Sequence, residues 1–425
     1  MTTFSGFGRI AAALRNPNYG IYTAGSCVSL IGTWMQRIAT GWLAWELTHS
    51  GAWLGLIAFA DLFPTVVVGP IAGAAADRWN RLRVTKISQT LGMFQAFALF
   101  GLTAAGWMDI WLLFALTLFL GTVAAFNQPA RLALIPSLVP REHLGAAVAI
   151  NSVVFNLARF IGPAIAGVAI VAGGVALAFA LNAVSFAFFL FALSRVRLAR
   201  EEGSGRKRQG LLSALTEGVG YVVRHAGIAP LLLLLIVTSI GVRPLVELMP
   251  AFASRVFASG AEGLALLTAS VGVGAIIGGT WLAGRSDSKG LTGVVLWSVA
   301  GMGGVTILFA LSDRLWFAAP LLVVSGFFVV CAGVGTQTLI QLAVDAEMRG
   351  RVLSLYGLIF RGGPAIGALL IGTASDFVGL RWPVIAGATL VLLAWAVART
   401  RAAAIRGSLE APPADGPPPE GPARS

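Results

Sequence analysis

The chain has 425 residues, 57% of them hydrophobic and only 11% charged, with a net charge of +12 and a mean hydropathy of +0.84. A soluble globular protein carries about 25% charged residues, so this chain cannot clothe a water-facing surface, and lipid must be its main solvent. The two cysteines, Cys27 and Cys331, lie inside apolar runs and supply neither a disulfide framework nor a metal-ligand spacing.

Residues 1–18 are polar and mixed, with no cleavable leader pattern, and are expected to be a cytoplasmic N-terminus. Apolar runs of about 18 residues or more then recur, each a membrane-span candidate. They predict spans at 20–46, 51–75, 85–106, 110–132, 143–171 and 173–194, grouped as an N-terminal bundle over 19–194. The stretch SRVRLAREEGSGRKRQG, residues 194–210, is the most polar internal segment. With a predicted surface helix over 211–224 it makes a cytoplasmic linker over 195–226. Six more spans follow at 227–252, 262–283, 291–312, 315–341, 348–376 and 382–398, grouped as a second bundle over 227–403. The Pro-rich residues 404–425 are expected to be a disordered tail. Every span should be helical, because an open strand would leave backbone groups unpaired in lipid. The fold class read from the sequence is an all-α integral membrane protein, with twelve transmembrane helices in two pseudo-symmetric six-helix bundles.

The placement of the bases explains the net charge. Arg9 and Arg15, Arg78 to Lys86, Arg131 and Arg141, the run Arg195 to Arg208, Arg285 and Lys289, Arg349 and Arg351, and Arg399 to Arg406 all fall at the termini or in even-numbered connections. The odd-numbered connections hold only Arg255, Arg314 and Arg381. This is the positive-inside bias, and it puts both termini in the cytoplasm. The basic excess is therefore topological, and no nucleic-acid motif accompanies it.

The two bundles echo each other. GPAI occurs at Gly162–Ile165 and again at Gly363–Ile366, an offset of 201 that Glu46 and Glu247 share. Arg159 and Arg361 precede the two copies. A duplicated six-span unit is the pattern of secondary transporters.

Ionisable groups inside spans are costly and mark a pathway. They are Arg37 and Glu46 in span 1, Asp61 in span 2, Arg159 in span 5, Arg243 and Glu247 in span 7 and Arg361 in span 11. Asp61 lies about ten residues into its span, which at about 1.5 Å per residue is near mid-membrane; it is the leading candidate proton carrier, or else a fixed partner of Arg37. Glu46 and Glu247 fall near the outer ends and are the next proton-coupling candidates. Four arginines against three carboxylates suit a substrate with anionic or metal-chelating oxygens, and Trp34, Trp42, Phe126 and Phe155 offer stacking surface or simple packing. No metal cluster, nucleophile elbow or phosphate loop occurs, so neither an enzyme nor a cofactor is expected.

Over residues 15 to about 400 the chain resembles the major facilitator superfamily. The carrying motif is the loop after span 2, with Gly73, Asp77, Arg78, Arg81 and Arg83 in the pattern G-x-x-x-D-R-x-x-R-x-R. GPAIAG, with Gly162, Pro163 and Gly167, resembles the core of the family's antiporter motif, although Ala149 and Ala158 stand where two earlier glycines would be. GTWMQRIATGWLAWELT and NQPARLALIPSLVP resemble the enterobactin-exporter and macrolide-efflux branch.

The resemblance implies that Gly73 lets span 11 approach and that Asp77 meets the positive N-terminal end of that helix. Arg78 and Arg81 would pair with Asp345 and Glu347, and Arg131 would balance Asp77. This inner latch would close only in the outward-open state. A second copy, AGRSDSKG, keeps Asp287 but has Ala283 at the Gly73 position. GPAIAG reads either as tight helix packing or as a bend that seals the cavity.

These readings combine into a monomeric exporter of a small amphipathic molecule, drug-like or siderophore-like, in the bacterial plasma membrane and exchanging its substrate for protons. An importer, a lysophospholipid flippase of the same fold, and a membrane-embedded receptor are the alternatives.

Overall fold

The computed structural model describes residues 3–69, 71–72, 79–198, 211–285, 289–345 and 347–410, and every regular element among them is helical. The order is α1 (Thr3–Arg15), α2 (Pro17–Thr48), α3 (Gly51–Val67), α4 (Arg81–Ala104), α5 (Ile110–Leu134) and α6 (Leu144–Arg195). Then come α7 (Leu211–Arg224), α8 (Ile228–Gly241), α9 (Leu245–Ala251), α10 (Gly260–Ala283), α11 (Leu291–Leu311), α12 (Leu315–Ala343), α13 (Arg349–Val378), α14 (Arg381–Thr400) and α15 (Ala402–Leu409). Nine helical segments of the described residues are long and apolar enough to cross a membrane. The chain is an integral membrane protein.

Local chemistry sets the helix ends. Asn16, Ser50, Asn80 and Asp109 each turn a side-chain oxygen onto N–H groups of the first turn of α2, α3, α4 and α5, supplying acceptors the helix itself lacks there. The 52-residue α6 is interrupted at Gly173 and Gly174, where φ is −152° and +73°. The second value suits a residue without Cβ, and the break falls where the sequence separates spans 5 and 6. In span 7 the helix stops at Gly241 and restarts at Leu245 as α9. Pro244 cannot donate to a helical carbonyl, and both Val242 N–H and Arg243 N–H crowd onto the Thr238 carbonyl.

Two groups of helices emerge from the packing. In the first, α2 lies along α6, α4 against α5 and α6, and α3 against α5; in the second, α8 packs on α13 and α14, while α11 packs on α12 and α14 and α10 on α12. The main contacts between the groups are α3 on α13 and α6 on α10. Glycines permit both. A Cβ on Gly55 would run into the Ala368 carbonyl, and one on Gly167 would strike Ala265.

The hydrophobic cores show how the groups meet. At the end remote from the termini a single core joins Trp45, Leu54, Leu113 and Phe179 of the first group with Leu248, Phe252, Leu267 and Phe309 of the second. At the termini end there are two separate cores, one around Tyr19, Leu134 and Leu193 and one around Ile228, Leu339 and Ile405. Among the described residues the two groups share a core at the far end and keep separate cores at the termini end.

The tail departs from the sequence expectation. Disorder is expected from residue 404, but helix α15 runs to Leu409, because Ile405 and Leu409 are four apart on one helix face and both are buried; residues 411–425 lie outside the described residues. The Glu410 carboxylate then accepts from the N–H groups of Gly290 and Thr292 at the start of α11.

Candidate functional site

Arg37 stands at the centre. Its guanidinium donates to Glu247 Oε1 at 2.6 Å and lies 3.4 Å from Asp61 Oδ2. Arg37 and Asp61 belong to the first group of helices, whereas Glu247 comes from α9 of the second. The side chains are 24%, 27% and 17% exposed, so this is a half-buried site. The sequence places Glu247 near an outer end; the structure pairs it with the residue that also holds Asp61.

Aromatic rings extend the site. The guanidinium carbons of Arg37 and Arg159 lie 5.5 and 5.6 Å from the centre of the Trp34 ring, and Phe155 meets that ring edge-on at 5.9 Å. Such contacts are favourable because the ring face is electron-rich. Gly162 fits directly behind Trp34, where a Cβ would crowd the Trp34 Cβ and the Ile31 carbonyl. Gly162 and Gly167 therefore serve close packing, the first against α2 and the second against α10, with Pro163 buried between them. On the other side Arg243 sits 3.7 Å above the Phe360 ring and donates to the Phe360 carbonyl at 3.0 Å. Arg361 crosses between the groups to Gln128 of α5.

Other expected members lie elsewhere. Exposed Glu46 accepts from Trp42 Nε1 at 2.6 Å, and Phe126 stacks on Trp79 at 6.3 Å instead of joining Trp34. At the termini end Arg81 donates to the Ala133 carbonyl, while Arg131 donates to Ser26 and lies over Phe189. Arg83 is exposed at the start of α4. Asp345 accepts from the Tyr221 hydroxyl at 3.1 Å, and Glu347 is exposed. Gly73, Asp77, Arg78 and Asp287 lie outside the described residues. Among the described residues no group of three His, Cys, Asp or Glu side chains is arranged to hold a metal ion.

The far end carries a device that the sequence reading did not single out. The carboxylate of Asp376, at the end of α13, accepts from Gly51 N–H at 2.7 Å, Ala52 N–H at 3.2 Å and the Ser50 hydroxyl. It thus meets the positive N-terminal end of α3 across the two groups. Beside it Arg255 donates to the His49 carbonyl at 2.8 Å and lies over Trp45.

The profile of the transmembrane secretion effector family, a branch of the major facilitator superfamily, matches residues 10–415. The chain belongs to the major facilitator superfamily. Superfamily relatives include the macrolide efflux protein A of Streptococcus pyogenes, 25% identical over 87% of this chain and 93% of that protein. The staphyloferrin A transporter of Staphylococcus aureus is 23% identical over 84% of this chain and 90% of its own length. In fold, this superfamily member is similar to a bacterial homologue of the human lysosomal transporter Spinster, crystallised inward-facing and unoccupied. That likeness has a TM-score of 0.74 and 15% identity, covering 93% of this chain and 99% of the other. As a superfamily member the protein is a transporter and not an enzyme.

Proposed function

We propose that the protein is a twelve-helix secondary transporter, two six-helix bundles that rock about a central site, exporting a small amphipathic compound in exchange for protons. The carrying observation is the bridge from Arg37 to Asp61 in its own half and to Glu247 in the other. The positive-inside charge pattern puts the termini in the cytoplasm, so the form seen, sealed at the far end, faces inward. The membrane is then a bacterial plasma membrane, as for the two relatives' organisms.

In the inward-facing form Arg37 holds Asp61 and Glu247 together as ion-pair partners from the two halves. When the halves rock outward, Glu247 leaves Arg37 and takes up a proton from the far side; returning inward restores the bridge and expels it. Asp61 holds Arg37 in place and shares the load. Substrate, entering from the parted termini end, offsets the loss of the bridge on the outward journey. Each charge moved inward through 100 mV supplies about 2.3 kcal/mol. In the outward-open form Gly73 and Asp77 would close against the start of α13, with Arg78 and Arg81 taking Asp345 and Glu347. Asp345 must first leave Tyr221.

The test uses proteoliposomes with an imposed pH gradient and a panel of efflux substrates. Glu247→Gln keeps a hydrogen-bond acceptor for Arg37 but cannot lose a proton. It should abolish uphill, pH-driven export and leave downhill exchange; Asp61→Asn should weaken the coupling in the same direction. Normal proton-coupled pumping by a stable Glu247→Gln protein refutes the coupling role. Net inward accumulation, or lipid movement without a pH gradient, replaces the exporter with an importer or a flippase.

A further inference from the structure

Three guanidinium groups gather at the centre, and the two nearby carboxylates are both spent on Arg37. Arg159 has no hydrogen bond or ion pair among the described residues; its guanidinium lies over the Trp34 ring. Arg243 donates to the Phe360 carbonyl and, at 3.5 Å, to the Ser239 hydroxyl, and pairs with no carboxylate among the described residues. Arg159 comes from α6 and Arg243 from the break between α8 and α9, so one stands in each half. The two charges lie within electrostatic reach of each other and of Arg37, and Glu247 acts on Arg159 only from beyond ion-pair distance while it is bound to Arg37.

Such an arrangement is unfavourable by itself. A guanidinium does not escape by losing its proton, and like charges drawn out of water repel with little screening. The missing anion must come from outside. The donor fork of arginine matches carboxylate and phosphate oxygens two at a time. Trp34 and Phe155 on one side and Phe360 on the other are flat apolar surfaces that favour an aromatic or hydrocarbon body next to that anion.

We propose that Arg159 and Arg243 form a split anion site, one jaw in each half, for the carboxylate or phosphate group of an amphipathic substrate whose apolar part lies against Trp34, Phe155 and Phe360. The proposal rests on the transporter reading and narrows its substrate class. An anion held between the jaws replaces repulsion between the halves with attraction, which draws the parted termini end together. Its export carries negative charge outward, so an inside-negative potential drives the step whether or not protons return.

The test uses full-length protein in nanodiscs of zwitterionic lipid and two matched probes, dansyl-glycine (anionic) and dansyl-ethylenediamine (cationic). Binding is read by energy transfer from tryptophan to the dansyl group. Wild-type protein should bind the anion at least tenfold more tightly than the cation. Arg159→Gln and Arg243→Gln should each lower anion affinity about tenfold and leave cation affinity unchanged; Arg159→Lys, which keeps the charge, should retain the preference for the anion. Competition by lysophosphatidylglycerol but not by benzoate assigns the site to a lipid phosphate, and the reverse assigns it to a free carboxylate; either supports the anion site. Equal binding of the two probes, no binding of the anion, or an unchanged affinity in folded Arg159→Gln overturns it. Preferential anion binding without potential-driven efflux of dansyl-glycine from proteoliposomes sinks the transporter reading and leaves the site standing.

Discussion

Replacing Asp376 by alanine should open the far end. The Asp376 carboxylate accepts from Ser50, Gly51 and Ala52, and it does so across the two halves, so the contact exists only while the far end is sealed. Two terms are lost. Removing a helix-capping acceptor costs about 1 kcal/mol, and removing a negative charge from a helix N-terminus costs about 0.3–1 kcal/mol. The edge is exposed, so water takes over part of the hydrogen bonding, and Ser50 still caps α3 through Trp53 N–H. The net penalty on the form sealed at the far end is then about 1–1.5 kcal/mol, roughly a five- to twelvefold shift toward molecules open there. Asp376→Asn loses the charge and keeps only one of the two acceptor oxygens, and should shift the balance in the same direction by less than alanine does. The assay is a spin-label distance measurement between cysteines introduced at exposed Leu47 and Phe377, with Cys27 and Cys331 replaced by serine. Asp376→Ala should add a population at longer distance. An unchanged distance distribution, with unchanged transport, would refute the far-end latch.

The remaining predictions concern contacts at the termini end that titrate. Burial holds the His225 imidazole below its ordinary range against the pull of Asp345, and its Nδ1 accepts from the N–H groups of Gly227 and Ile228 at the start of α8. Only the neutral ring accepts there, so its stabilisation is full above the unfolded value of about 6.5 and is lost as pH falls through the lower folded value. His225→Asn, an acceptor at every pH, should therefore flatten the fall in thermal stability between about pH 7 and pH 5; an equally steep fall counts against this cap. Burial pushes Glu410 up, yet the N–H groups of Thr292 and Gly290, with Arg406, more than offset it and hold the carboxyl below its usual range. Its contribution is present above the unfolded value of about 4.3 and is lost as pH falls through the folded value. Glu410→Gln should remove about 1 kcal/mol and speed amide exchange in α15; unchanged exchange there would show that the carboxylate does not hold α15.

Much of the fold was legible because hydropathy is local. Whether a run of side chains prefers lipid depends on those side chains alone, and the predicted runs coincide with the helices to within a few residues at most ends. The boundary between spans 5 and 6 and the existence of a helix over Leu211–Arg224 followed in the same way. The charged residues inside the spans were also visible as a set, since Arg37, Asp61, Arg159, Arg243, Glu247 and Arg361 are charges an apolar chain would not otherwise carry.

Their pairing was not visible. A linear count along span 7 puts Glu247 near an outer end, while the docking of the second half places it 2.6 Å from Arg37. Asp376 looks in sequence like an ordinary acid at a helix end, and only the contact of α13 with α3 makes it a latch. Arg159 differs from Arg37 by making no ion pair with a carboxylate among the described residues, a distinction that exists only in three dimensions. The sequence by itself determined that the protein lies in lipid, where its helices run and which charges they bury. The tertiary structure decided which charges meet, because that depends on how two halves, touching through small residues such as Gly55 and Gly167, come together.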